Sequence, residues 1–245
     1  MQLWKKILIG LGVAGFALLG TIGGILFVTF KDNAPLVDGR EVGPATTVVD
    51  GGFVAAYWLD AGDGRLILVD ASNSSDGQEL LDALAQAGHE PADVGYILLT
   101  HGHPDHTAAL DVFPDATVYA HANDTNLVGA DRLDEALADG DALTIGTRDV
   151  RVFHVPGHTA GSVAYLIDST LFMGDAASAT KTGGMQTTPW VFSEDTAQAS
   201  RSLVALSERL TQEGYDVEEI AFGHSDKIEG LEPLADLADR LRGES

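Results

Sequence analysis

His101-Gly102-His103-Pro104-Asp105-His106 places three imidazoles and one carboxylate within six residues. The chain has only eight histidines, so this concentration of metal-capable groups marks a site rather than a polar loop. On an extended segment residues i and i+2 project to the same side, so His101 and His103 can grip one ion together. Pro104 fixes its own φ and favours the start of a helix. Asp105 and His106 then emerge in the first helical turn, facing away from the first pair and able to address a second ion. Imidazole and carboxylate donors suit zinc, iron or manganese better than calcium or magnesium.

Four groups in six residues do not close two coordination spheres. Three further candidates stand where apparent strands end: His158 in Pro156-Gly157-His158-Thr159, Asp175 in Met173-Gly174-Asp175, and His224 in Phe222-Gly223-His224. Each follows a glycine, which lets the backbone turn sharply and approach the site closely.

These motifs, in this order, resemble the metallo-β-lactamase superfamily. His101 to His106 matches its HxHxDH motif, and VPGHTAGS at 155–162 is similar to the next one. Gly174-Asp175 and Gly223-His224 resemble the last two. The resemblance spans about residues 45–230. It implies an αββα sandwich of two mixed β-sheets flanked by helices, with a dinuclear site at one edge. It also implies a ligand assignment: His101, His103 and His158 to a first metal, Asp105, His106 and His224 to a second, and Asp175 bridging. Asp70 matches a family aspartate behind the ligands, where a carboxylate orients a ligand imidazole. Two departures stand out. Family members that reduce oxygen at non-haem iron carry Glu where this chain has His103, which argues against that redox role. Ser225 replaces a frequent glycine beside a ligand, where it would bear on substrate fit.

The remaining sequence fits such a sandwich. Asp50-Gly51-Gly52 is a hairpin signal between apolar strands. Residues 66–69 and 94–99 read as buried strands, and 150–155, 163–167, 171–173 and 219–222 as further ones. Helical spacing covers 78–87, 195–210 and 232–241, with another α-forming stretch from 104 to 110. Strands paired first, then alternating with helices, then paired again suit two packed sheets with helices outside. His89, His121 and His154 read as structural, with His121 the main exception to consider. Residues 183–192 read as a substrate loop or an ordinary surface connection.

There is no cysteine, which excludes disulfides, thiolate metal sites and cysteine nucleophiles. The net charge of −23 repels polyanions, so nucleic acid is excluded as a partner and a small molecule is expected instead. The same charge suits a highly soluble surface or adaptation to high salt. Residues 7–30 form 24 consecutive residues without a charge, preceded by Lys5 and Lys6. About 20 such residues cross a bilayer. The expectation is a transmembrane anchor over residues 1–31, a linker over 32–44 and the catalytic domain over 45–245. By the positive-inside bias, that domain would be membrane-anchored and outside the cytoplasm.

The expected function is metal-dependent hydrolysis. Two divalent ions, zinc first and iron or manganese as alternatives, share a water, lower its pKa and supply hydroxide to an ester, thioester, lactone or related bond. Asp105 orients that nucleophile, and Asp70 supports it. Neither the carboxy-terminal helical domain of glutathione thioesterases of the glyoxalase II type nor the inserted domain of the family's nucleases is expected. Two alternatives remain: a single-iron persulfide dioxygenase of the same fold, and a non-catalytic, membrane-tethered metal-binding module. No glycine-rich dinucleotide fingerprint supports a redox cofactor.

Overall fold

A computed structural model describes residues 29–188 and 190–243. One compact unit runs from Asn33 onward. It holds a seven-stranded sheet in the order β1 (Glu41–Val42), β2 (Ala45–Asp50), β3 (Val54–Asp60), β4 (Leu66–Val69), β5 (Val94–Leu98), β6 (Thr117–His121), β7 (Glu135–Leu137). The first four strands pair antiparallel and the last four parallel. The second sheet comprises β8 (Ala142–Ile145), β9 (Arg148–His154), β10 (Val163–Ile167), β11 (Thr170–Phe172), β14 (Glu219–Ala221) and β15 (Ile228–Glu229). It is antiparallel except where β11 and β14 run parallel. A two-stranded ribbon, β12 (Ala177–Ala179) with β13 (Met185–Thr187), stands apart.

Three apolar layers make the sandwich. Between the sheets lie Tyr57, Ile67, Leu98, Val152, Tyr165 and Phe172. Outside the first sheet, Leu80 and Leu84 of α1 (Gln78–Gln86) pack with Leu68, Ile97 and Phe113. Outside the second, Leu203, Leu206 and Leu210 of α4 (Thr196–Glu213) and Leu234 and Leu237 of α5 (Glu232–Gly243) pack with Leu166, Ile220 and Phe222. Two short helices, α2 (Pro104–Thr107) and α3 (Thr125–Val128), lie between β5 and β7 in the chain. The expected αββα layering of two mixed sheets is therefore present. Strands β4, β5, β10 and β14 are apolar at nearly every position because both of their faces are covered. The amphipathic α4 is capped by Asp195, whose carboxylate accepts the Gln198 N–H at 2.8 Å.

Two buried tyrosines tie the sheets where the strands end. Tyr57 of β3 donates its hydroxyl to the Phe222 carbonyl at 2.7 Å and accepts the Phe222 N–H at 3.2 Å. In the opposite direction, Tyr165 of β10 donates to the Leu99 carbonyl at 2.7 Å. Leu99 and Phe222 each stand two residues before an expected ligand.

Some expectations change. The helix expected over 104–110 is the single α-turn of α2, followed by a 3₁₀ turn at Leu110–Val112. The chain has to fold back here, because the Ala109 N–H bonds the Ala71 carbonyl at 2.9 Å. Within the stretch expected as a linker, Glu41–Val42 pairs with β2. The transmembrane helix is not carried forward. Residues 1–28 lie outside the described residues, and among the described residues no helix is long and apolar enough to cross a membrane. The membrane-anchored, extracytoplasmic assignment and the membrane partner are corrected accordingly.

Candidate metal centre

Five chain segments deliver donors to one end of the sandwich. β5 runs into Thr100-His101, and the short helix α2 presents Asp105 and His106. The turn after β9 brings His158, the end of β11 brings Asp175, and the end of β14 brings His224. All seven sequence-expected donors meet. Three groups have their ligand atoms within 4.8 Å of one another: His101 with His103 and His158, His101 with His106 and Asp175, and Asp105 with His106 and His224. Asp175 stands at the middle. Its oxygens lie 3.4 Å from His106 Nε2, 3.5 Å from His158 Nε2 and 3.1 Å from His224 Nε2. Asp105 lies 3.3 Å from His224 Nε2.

The outer ring nitrogens explain why the inner ones converge. His106 Nδ1 is 2.8 Å from Asp70 Oδ2, and His101 Nδ1 is 3.1 Å from the Thr100 hydroxyl. His158 Nδ1 is 2.9 Å from the Thr188 hydroxyl, and His224 Nδ1 is 2.6 Å from the Phe53 carbonyl. Four imidazoles are thus held by Nδ1 and aim Nε2 inward, an arrangement that fixes tautomer and ring orientation together. His103 departs from this pattern, with its Nδ1 2.9 Å from His158 Nε2. Asp70 sits at φ +63°, a conformation aspartate tolerates better than most residues. There it also accepts the Thr100 N–H at 2.8 Å.

A cation fits this arrangement. His101 Nε2, His106 Nε2 and Asp175 Oδ1 are buried without any hydrogen-bond partner, which is costly unless something else satisfies them. Burial holds the His158 pKa down at about 4. Burial and the neighbouring His106 keep His101 well below the usual imidazole value. Burial works against charge on His224 too, but Asp175 and Asp105 outweigh it and hold that pKa up at about 9. Desolvation of Asp175 is likewise overcome by His224 and His106, which hold its carboxyl well below the usual range. His101 and His158 as neutral imidazoles and Asp175 as a carboxylate are in the forms that bind a metal, whereas His224, and His106, which Asp175 and Asp70 hold well above the usual imidazole value, would each release a proton on binding one.

Sequence reasoning missed Asp124. It is fully buried. Its Oδ2 accepts the Gly102 N–H at 2.8 Å and the Thr159 hydroxyl at 2.7 Å, and its Oδ1 accepts the Gly161 N–H at 2.7 Å. One carboxylate thereby fastens the loop of His101 and His103 to the loop of His158. Among 37 acidic residues, nothing in the sequence separates this one from the surface set. In an Asp124→Asn variant, an amide N–H must face at least one of these donors. We expect a loss of about 1–3 kcal/mol in thermal unfolding and weaker metal binding at the His101 group than at the His106 group. Equal metal affinity at both groups would remove the clamp role.

Ser225 differs from expectation, while His121, His154 and His89 lie outside the donor groups. Ser225 is fully buried, and its hydroxyl accepts the Ala179 N–H at 2.7 Å, so it braces β12 rather than facing substrate. His121 stacks on His154 with centroids 3.9 Å apart, and neither joins a donor group. His89 packs edge-on against Trp58 at 5.4 Å.

Comparison with known proteins agrees with this geometry. The family model described as metallo-beta-lactamase superfamily matches residues 49–224. A hydroxyacylglutathione hydrolase of Fuscovulum blasticum is 36% identical over 163 residues, covering 64% of this chain and 60% of the relative. One of Acidiphilium cryptum is 36% identical over 123 residues, covering 50% and 46%. The chain thus spans about half to three-fifths of these relatives' length. Among solved structures, a metallo-beta-lactamase family protein of Thermus thermophilus superposes with a TM-score of 0.62 at 23% identity, covering 82% of this chain and 80% of that one. A subclass B3 metallo-beta-lactamase of Bradyrhizobium japonicum gives 0.64 at 17% identity, covering 86% and 93%. These two likenesses concern the fold alone. With a family model matched across most of the chain and its donor residues gathered at one end of the sandwich, the chain belongs to the metallo-beta-lactamase superfamily.

Proposed function

We propose that this chain is a metal-dependent hydrolase of an ester, thioester, lactone or related bond. His101, His103 and His158 would hold one divalent ion, and Asp105, His106 and His224 a second, with Asp175 serving both. The observation that carries this reading is the set of buried, unpartnered Nε2 and Oδ1 atoms converging from His101, His106 and Asp175. Relatives named hydroxyacylglutathione hydrolase support hydrolysis, and a thioester among the bonds to test.

When bound, divalent ions of this kind supply Lewis acidity that makes water nucleophilic near neutral pH and polarises the substrate oxygen. The protein's own part is positional. Asp70, Thr100, Thr188 and the Phe53 carbonyl keep four imidazoles aimed inward. Asp105 is the most exposed carboxylate of the set, at 28% of its side chain. It is placed to orient the attacking water and take its proton on a carboxylate oxygen. The water oxygen bonds to the acyl carbon, the bond to the leaving sulfur or oxygen breaks, and the proton passes to that leaving atom. His103 keeps the donor set all-imidazole on its side, as expected for hydrolysis.

The test is metal quantitation on the purified chain, coupled to ester, thioester, lactone, β-lactam and phosphodiester substrates. We expect about two metal ions per chain, zinc first, with turnover abolished by chelation and restored by added metal. Hydrolysis that persists in metal-free protein would sink this reading.

A further inference from the structure

Isolated apolar side chains on a surface are ordinary; their placement here is not. The large hydrophobic residues that stand exposed include Phe53, Leu127 and Trp190, at 43%, 46% and 78%. They lie on three separate segments, each fastened to the donor set. The Phe53 ring stacks on His224, with centroids 5.4 Å apart and planes 7° from parallel. Leu127, on α3, packs over the loop between His101 and His103 so closely that a Cβ at Gly102 would meet its own Cβ at 2.4 Å. Trp190 sits between Thr188 and Ser193, whose hydroxyls lie 2.9 and 3.4 Å from His158 Nδ1. Three segments that hold the donor cluster therefore carry an apolar side chain that leaves part of its surface in water.

The charge distribution points the same way. A glutathione arm would bring two carboxylates into a molecule of net charge −23. Many of the chain's few cations are already committed: Arg40, Arg132, Arg148, Arg209, Lys227 and Arg242 are each held by a carboxylate. An anionic arm would be repelled, whereas a neutral hydrocarbon arm would cover the exposed rings and gain their burial.

We propose that the substrate is a neutral ester, thioester or lactone with a medium-length apolar acyl arm, seated against Phe53, Leu127 and Trp190. This inference rests on the metal-hydrolase reading above and adds the substrate class to it. The reaction remains hydrolysis of the acyl bond, with water as the only co-reactant.

The test uses the metal-loaded full chain with p-nitrophenyl acetate, butyrate and octanoate and with S-lactoylglutathione. The expected kcat/KM rises roughly two- to fourfold per added methylene and exceeds that for S-lactoylglutathione. In Trp190→Ala, whose exposed ring leaves the fold intact by melting temperature, the dependence on chain length flattens and the octanoate value falls about tenfold. A parallel arm measures binding of octanohydroxamate against acetohydroxamate by titration calorimetry, which needs no fluorophore at position 190, and so decides even without turnover. A preference for the octyl compound that Trp190→Ala removes supports the inference. Metal-dependent turnover with no gain along the acyl series, or with S-lactoylglutathione preferred, overturns it and leaves the metal site standing. Turnover that ignores chelation instead overturns the metal-hydrolase reading.

Discussion

Asp175→Ala should strip metal from both donor groups and lower hydrolysis about a thousandfold. The size follows from the proposed chemistry: ions that supply several kcal/mol of transition-state stabilisation translate at about 1.36 kcal/mol per tenfold. The breadth follows from geometry. Asp175 reaches towards His106, His158 and His224 at 3.1 to 3.5 Å, so removing one carboxylate leaves buried imidazoles on both sides facing each other. His224→Ala is the contrast. His224 has ring contacts with Asp105 and Asp175 but shares no donor group with His101, His103 or His158, so those three remain. About half the metal should stay bound while hydrolysis still collapses. Metal content per chain, measured on both variants after identical dialysis, separates them. Equal losses would mean that Asp175 does not serve two ions.

Gly223→Ala should do nearly as much damage without touching a donor. A Cβ at that position would lie 2.1 Å from Asp175 Oδ1 and 2.7 Å from His106 Cε1, distances at which something has to move. Neither side has room. The Gly223 N–H is bonded to the Gly174 carbonyl at 2.9 Å and its carbonyl to the Ala55 N–H at 2.7 Å, while His106 is fully buried. We expect Asp175 to be displaced, metal content to fall as far as in Asp175→Ala, and stability to drop by about 1–3 kcal/mol. A folded Gly223→Ala protein with full metal content would show that the crowding is relieved elsewhere.

Gly223 also shows how far the sequence could be read. A glycine before each of His158, Asp175 and His224 signalled close approach, and the approach is real, but its object differs at each position. Gly157, at φ +136°, makes room for the backbone of Ala199 in α4. Gly174, at φ +50°, lies against the Thr100 side chain. Only Gly223 faces the donors themselves. Which neighbour a glycine accommodates depends on packing across the sandwich, and no local pattern encodes that. The seven candidate donors were legible because imidazoles are few and the motifs are strongly ordered along the chain, and Asp70 because the family resemblance pointed to it. Asp124, Thr188 and the Phe53 carbonyl were not, because a buried acid, a hydroxyl and a main-chain oxygen carry no distinguishing composition. Strand β4 was plain from its apolar run, whereas the short edge strands β7 and β15 lacked any such run. The chain turn at Leu110–Val112 was hidden because alanine and leucine there suit a longer helix, and the ties from Ala108 to Ser72 and from Ala109 to Ala71 break it.

The two buried tyrosines have a consequence for modularity. Each half of the chain supplies the hydroxyl that satisfies a carbonyl of the other half: Tyr57 serves Phe222, and Tyr165 serves Leu99. The segments carrying His101 and His224 are thus each anchored by the sheet they do not belong to. A foreign half without these partner groups would leave one hydroxyl and one carbonyl of the remaining half buried and unsatisfied, at about 1–3 kcal/mol for each. The two sides of the centre are best inherited as a pair, because they are sewn together by Tyr57 and Tyr165, neither of which is among the donors.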